Sequence, residues 1–219
     1  MKRFAYVAAV CLVAVLGIGV STAHAQVAPP PEPKMYGEFN FGPTLGHKSD
    51  KFVGGEFGLR IVDRVDVFIE ASHMGNVATT DLDDRANIIA NFLGGSASTA
   101  FKVNEGAIGV RYHIAITPMM HPYILAGFGA AQVATEVVFS VNGTAVDPAT
   151  RGVALGGDLT GTTTKTIIVF GFGVNVPFAK RFYGDLGYRY GQILAKTDAV
   201  ETDKSIPTQR VVLGVGMRF

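Results

Sequence analysis

The stretch Arg210-Val211-Val212-Leu213-Gly214-Val215-Gly216-Met217-Arg218-Phe219 decides the fold. In an extended chain Val211, Leu213, Val215, Met217 and Phe219 share one face, and Arg210, Val212, Gly214, Gly216 and Arg218 share the other. Side chains alternate along a strand, so this segment reads as a strand of period two. One face holds only large apolar side chains, while the other holds glycine, valine and arginine. Earlier segments repeat the pattern, which predicts a β-barrel with a lipid-facing outside and a polar inside.

Eight strands are predicted, at 35–43, 52–62, 66–74, 101–114, 122–133, 164–176, 182–194 and 208–219. Each is close to the nine to eleven residues, roughly, that a tilted strand needs to cross a bilayer. An antiparallel barrel leaves no edge and pairs every backbone group, as lipid demands. The connections Asp63-Arg64-Val65, Ala115–His121 and Pro177–Arg181 are short, whereas 44–51, 75–100, 134–163 and 195–207 are longer. Short turns on one side and long loops on the other is the pattern of outer-membrane barrels, with the short turns periplasmic. The fold class expected is all-β, an eight-stranded antiparallel transmembrane barrel.

The first hairpin allows a finer expectation. A three-residue turn at Asp63-Arg64-Val65 pairs Val62 with Asp66 and Gly58 with Glu70 and keeps polar faces together, whereas a two-residue turn sets Arg60 against Val67. Arg60 and Glu70 are then diagonal neighbours expected to pair, with Arg111 able to approach Glu70 from the other side. Within 75–100, an irregular loop or strand extension is favoured over a helical turn or two at Asp81–Leu93. Val141-Asn142-Gly143-Thr144 carries a turn signal.

Residues 1–25 read as a cleaved secretory signal. Lys2 and Arg3 precede an apolar run from Phe4 to Val20, and Ala23-His24-Ala25 is a small-residue cleavage site. Cys11, the only cysteine, lies inside that run, so the mature chain has no disulfide or thiolate chemistry. Residues 26–34 form a proline-rich periplasmic tail, and 35–219 form one barrel domain. The chain has 19 Lys+Arg and 18 Asp+Glu. Loss of two basic residues with the signal leaves a near-neutral protein with no footprint for nucleic acid. The 27 glycines, many inside strand-like segments, suit a small barrel with a crowded lumen.

The segments Pro122-Tyr123-Ile124-Leu125-Ala126-Gly127-Phe128-Gly129 and Asp185-Leu186-Gly187-Tyr188-Arg189-Tyr190-Gly191, with the final strand, resemble the small outer-membrane β-barrel proteins of Gram-negative bacteria. The nearest groups are the OmpA-like transmembrane domains and the opacity-type surface proteins. The resemblance covers the whole mature chain and implies residence in the outer membrane among lipid and lipopolysaccharide. It also implies insertion by the barrel-assembly machinery, for which Gly214, Met217 and Phe219 resemble the signal. Val212 stands where a polar residue is common.

The inward-facing charges expected are Glu38, Glu56, Arg60, Glu70, Glu105, Arg111, Asp185, Arg189, Arg210 and Arg218. Eight strands enclose a space that side chains can fill, so a plug of paired charges is favoured over an ion path. Tyr188, Tyr190 and Tyr123 are candidates for an outward aromatic girdle. His47, His73, His113 and His121 are scattered without metal-ligand spacing. His47-x-Ser49 superficially resembles the His–Ser pair of a lipid A deacylase, but no surrounding residues match it. Ser72 and His73 point to opposite faces and cannot act together. No catalytic residue, metal or cofactor is predicted. The reading favoured is a structural or surface-interaction barrel whose loops meet an extracellular ligand. The alternatives are a narrow porin-like channel and, behind it, a lipid-modifying enzyme.

Overall fold

A computed structural model of the chain describes residues 34–117, 119–153, 159–195 and 205–219. The predicted signal and nearly all of the proline-rich tail lie outside the described residues. The strands are β1 (Met35–Leu45), β2 (Lys51–Val62), β3 (Val65–Met74), β4 (Ser96–His113), β5 (His121–Val141), β6 (Thr144–Val146), β7 (Gly161–Pro177), β8 (Phe182–Ile193) and β9 (Ile206–Arg218). One helix, α1 (Thr80–Phe92), lies between β3 and β4. Eight of the strands form a closed antiparallel ring in the order β1-β2-β3-β4-β5-β7-β8-β9, which returns to β1. The short β6 pairs only with the end of β5. At the seam the Met35 and Phe219 backbones exchange two hydrogen bonds of 3.1 and 3.0 Å.

The alternation read from the last strand holds around the ring. Phe39, Phe57, Ile69, Ile108, Phe128, Phe170, Phe172, Leu186 and Val215 all face outward and are exposed. A continuous apolar surface of this size is suited to lipid rather than water. On the inner face, large rings sit opposite glycines. A β-carbon on Gly58 would lie 2.2 Å from the Tyr36 ring, and one on Gly216 would lie 2.2 Å from the Tyr183 ring. Glycine is therefore what admits these rings to so narrow a lumen.

The first hairpin differs from expectation. Its turn has two residues, Asp63 and Arg64, with Arg64 at φ 64°. A bulge between Arg60 and Val62 absorbs one residue, so Arg60 pairs with Asp66, Glu56 with Glu70, and Val62 with Val65. Polar residues still face polar residues, but the bulge does the work assigned to a third turn residue. An argument from an uninterrupted ladder cannot see it.

Two further expectations are corrected. The strands β4 and β5 run well beyond the predicted 101 and 133, to Ser96 and Val141. Asp81–Leu93 is helical apart from Leu93, which caps α1. The Thr79 hydroxyl accepts from the Leu82 N–H at 3.4 Å, and Asp81 and Asp83 lie in the first turn. Gly94, at φ 71°, ends the helix, and the Gly95 N–H donates to the Ala90 carbonyl at 2.9 Å, as in a Schellman motif. The buried face is Leu82, Ala86 and Ala90, while Ile88 and Phe92 stay exposed. Two of its large apolar residues, Ile88 and Phe92, therefore point away from the face that packs, and this hid the helix. The Asn142-Gly143 turn is present, with both residues at positive φ.

Candidate functional site: the barrel interior

Two layers fill the lumen. Toward the long loops, the inward positions hold Phe52, Met74, Val103, Val133, Ile167 and Ile193, all nearly inaccessible. Val77, Ala78, Leu82 and Leu159 join the same cluster, so α1 and its flanks cover that end. The inside is therefore not polar throughout: its loop half is packed largely with apolar side chains, like the core of a soluble protein.

Charge is concentrated below this layer. Six buried side chains alternate in sign: Arg111, Glu56, Arg189, Glu70, Arg210 and Glu105. Arg111 Nη2 lies 2.7 Å from Glu56 Oε1, and Arg189 Nη2 donates to Glu56 Oε2 at 2.8 Å. Arg189 also contacts Glu70. Arg210 Nη2 then bonds Glu70 Oε1 at 3.0 Å and Glu105 Oε1 at 2.5 Å. Glu56 and Glu70 are direct cross-strand partners. Like charges so placed are destabilising, and Arg189 reaches across from β8 to bridge them. The guanidinium of Arg111 stands 4.2 Å from the Tyr123 ring centre and 5.0 Å from that of Tyr36, a cation–π clasp on both sides.

Glu38 and Asp185 lie beside this series. Glu38 Oε2 accepts from the Tyr183 hydroxyl at 2.8 Å and stands 3.6 Å from Arg111 Nη1. Asp185 accepts from the Tyr123 hydroxyl and from Asn175 Nδ2, both at 2.8 Å. Tyr123 is thus a lumen residue and not part of an outer girdle. Its strand position faces inward, and Asp185 satisfies its hydroxyl as burial requires. Tyr188 and Tyr190 do face outward, and their hydroxyls bond Gln209 and Gln192 at 2.8 and 2.6 Å.

Arg60 and Arg218 belong to a separate group at the short-turn end. Arg60 Nε donates to Asp66 Oδ1 at 2.8 Å, and His113 Nε2 lies 2.8 Å from Asp66 Oδ2. Arg218 Nη2 lies 2.9 Å from His121 Nδ1 and stacks 4.7 Å from the Tyr183 ring centre. The expected Arg60–Glu70 pair is replaced by Arg60–Asp66, because the bulge sets those two opposite each other. Arg111 serves Glu56 and Glu38, with Glu70 left to Arg189 and Arg210. Both strands contributing those arginines lie across the lumen, so strand adjacency was the wrong guide.

The histidines divide between the two ends. His113 and His121 meet with ring centres 6.3 Å apart. His73 lies on the outer face, 2.7 Å from Asn104 Oδ1, while Ser72 is buried inside. Among the described residues, no three His, Cys, Asp or Glu side chains form a group that could hold a metal. At the loop end His47 and Lys48 meet the Asp83 carboxylate of α1, with Lys48 Nζ at 2.9 Å, and Thr99 of β4 donates to it. Burial pushes Asp83 up, but the hydrogen bonds from Thr99, Lys48 and His47 outweigh it and hold the carboxyl below its ordinary range. Sequence reasoning missed Tyr36, Asn40, Tyr183 and Asn175 as lumen polar groups, although the parity of the first three with Glu38 and Asp185 was there to be read.

The profile of the outer membrane protein beta-barrel domain family matches residues 11–219. The chain belongs to that family. It is an outer-membrane protein of the Gram-negative type. Among solved structures it is similar to Neisserial surface protein A, with 16% identity and a TM-score of 0.52, covering 84% of this chain and 96% of that one. It is similar in the same way to the N-terminal β-barrel domain of OprF from Pseudomonas aeruginosa, with 15% identity and a TM-score of 0.52, covering 86% of this chain and 100% of that domain. At such identities the likeness establishes the fold alone. No curated protein matched in sequence.

Proposed function

We propose that this protein is a closed structural or surface-interaction barrel, with its long-loop end facing the exterior and its short turns facing the periplasm. The observation that carries the reading is the filled interior. A balanced series of three arginines and three glutamates spans the lumen, and an apolar layer covered by α1 lies over it. An ion crossing this interior would have to break buried pairs and then cross an apolar layer, and each is costly. Contact with an extracellular ligand then falls to the loops, where α1 presents Ile88 and Phe92. Outer-leaflet lipid and lipopolysaccharide surround the apolar band. Gly214, Met217 and Phe219 serve the assembly machinery.

Reconstitution into planar bilayers tests this reading. The expected result is no stepwise conductance above the bare membrane, and steady, ion-selective steps would favour the narrow channel instead. Orientation is tested with single cysteines, since the chain's only cysteine is Cys11. Asn87→Cys on α1 should react with an impermeant reagent on intact cells, whereas Lys180→Cys should react only after the outer membrane is opened. The reverse pattern would invert the proposed topology.

A further inference from the structure

The short turns carry large apolar side chains beyond the ends of the paired strands. The turn from β7 to β8 runs from Phe178 through Ala179, Lys180 and Arg181 to Phe182. Phe178 is 65% exposed and Phe182 45%. Their rings stack, with centres 6.3 Å apart and planes 18° apart. The Phe178 and Ala179 N–H groups donate to the Phe182 carbonyl at 3.2 and 3.3 Å and close the turn. The turn from β4 to β5 lies beside it, because His121 at the start of β5 pairs with Asn175 near the end of β7. That turn exposes Ile114, Met119 and Met120.

Such a shelf is unsuited to water. It continues the lipid-facing band, since the exposed outward row Phe170, Phe172 and Val176 of β7 leads directly to Phe178. In this sector the membrane boundary therefore reaches the turns themselves. Lys180 and Arg181 stand at the tip between the two rings, and both are exposed. Among the described residues no carboxylate, the terminal one of Phe219 included, forms an ion pair with either. The other short turns differ. Arg64 has its neighbour Asp63 at 3.9 Å, and residues 114–120 contain no Lys, Arg, Asp or Glu. Lys34, Arg60 and Arg218 line the mouth of the lumen together with Asp66. Outside that mouth, the excess positive charge of the short turns falls on the one turn that carries the aromatic stack.

We propose that the β7–β8 turn binds the phosphate of an anionic glycerophospholipid in the periplasmic leaflet. Lys180 and Arg181 are the cationic contacts, and the Phe178–Phe182 stack sits among the adjoining acyl chains. The leaflet rests on the orientation proposed above, whereas the phosphate contact does not. A guanidinium fork matches a phosphate with two parallel hydrogen bonds, and an ammonium adds a point charge. Their long stems let the charges reach the headgroup layer while the rings stay at the edge of the hydrocarbon. Two cations against one phosphate favour an anionic headgroup. A zwitterionic lipid brings its own ammonium, which competes for the same phosphate, and an anionic surface attracts each added Lys or Arg.

The chain has no tryptophan, so Phe178→Trp gives a single fluorescent reporter at the turn. The mature barrel carrying it is reconstituted into vesicles of phosphatidylcholine with a minor share of phosphatidylglycerol. Either lipid in turn carries brominated acyl chains, which quench the indole on contact. Because the chains are the same, depth cancels and only the headgroup differs. Brominated phosphatidylglycerol should associate with the turn at least about threefold more strongly than brominated phosphatidylcholine, and high salt should reduce the excess. Adding Lys180→Gln and Arg181→Gln should abolish the preference with an unchanged urea midpoint, since both side chains are exposed. Adding Arg64→Gln instead should leave it intact. A reporter at Phe41→Trp, toward the loop end of β1, should show no such excess. Equal association of the two lipids at the turn would overturn the proposal. So would a preference that survives the double change, or one as large at Phe41→Trp. The vesicles offer the same lipid in both leaflets, so this readout does not depend on topology. Surface labelling of Lys180→Cys on intact cells would overturn the periplasmic leaflet alone.

Discussion

Replacing Arg189 with methionine tests the interior directly. The side chain is buried, and among the described residues it alone bridges the cross-strand partners Glu56 and Glu70. Directly opposed residues have β-carbons about 4.5–5.5 Å apart. Two carboxylates about 5 Å apart, at an effective dielectric of about 20, repel by about 3 kcal/mol. That agrees with the roughly 3–5 kcal/mol lost when one member of a buried ion pair is removed. Arg189→Met should therefore destabilise the barrel by about 3–5 kcal/mol in urea unfolding from detergent or lipid. Adding Glu70→Gln to Arg189→Met removes one of the two opposed charges. The double variant should recover part of the loss, giving a coupling of about 2–3 kcal/mol, near the top of the range for networked neighbours. Arg60→Ala and Glu70→Ala should be additive within about 0.5 kcal/mol, because Arg60 belongs to Asp66. Additivity in the first cycle, or strong coupling in the second, would refute the pairing described for the lumen.

Three more outcomes are expected. Gly58→Ala drives a β-carbon into the Tyr36 ring; overpacking of this kind costs about 1–3 kcal/mol, and an unchanged unfolding midpoint would contradict the packing. Deleting Phe219 removes its two seam hydrogen bonds to Met35 and a ring that remains 44% exposed. A full burial is worth only about 1.5–3 kcal/mol, so membrane levels in cells should fall far more than the stability of protein refolded in vitro, and normal insertion would sink the assembly role. Asp83 is held below its ordinary value of 3.8, so its anchoring of α1 is complete above that value and is lost as pH falls through the lower folded value. Hydrogen exchange in α1 should therefore accelerate relative to β4, beyond the intrinsic pH effect, only once the pH falls below the ordinary Asp range, and uniform behaviour of the two elements through acid unfolding would exclude the anchor.

The barrel was legible from the residues alone. Period-two alternation in segments such as 208–219 fixes which residues face lipid and which face inward, and no tertiary knowledge is needed because a strand can place its side chains in no other way. Strand number and the sorting of loops by length followed from the same pattern. The inward set of Glu38, Glu56, Glu70, Glu105, Arg111, Asp185, Arg189 and Arg210 was legible for that reason. Their partners were not. Arg189 and Arg210 meet Glu70 across the lumen from strands about 120 to 140 residues away in sequence, and only ring closure brings those strands into reach. The bulge at Arg60–Val62 also escaped, since it changes register without changing the alternation on either side. The helix α1 escaped because it buries two alanines beside Leu82 and exposes Ile88 and Phe92. Its packing is decided by the wall of β4 that it covers, which exists only once the barrel has formed.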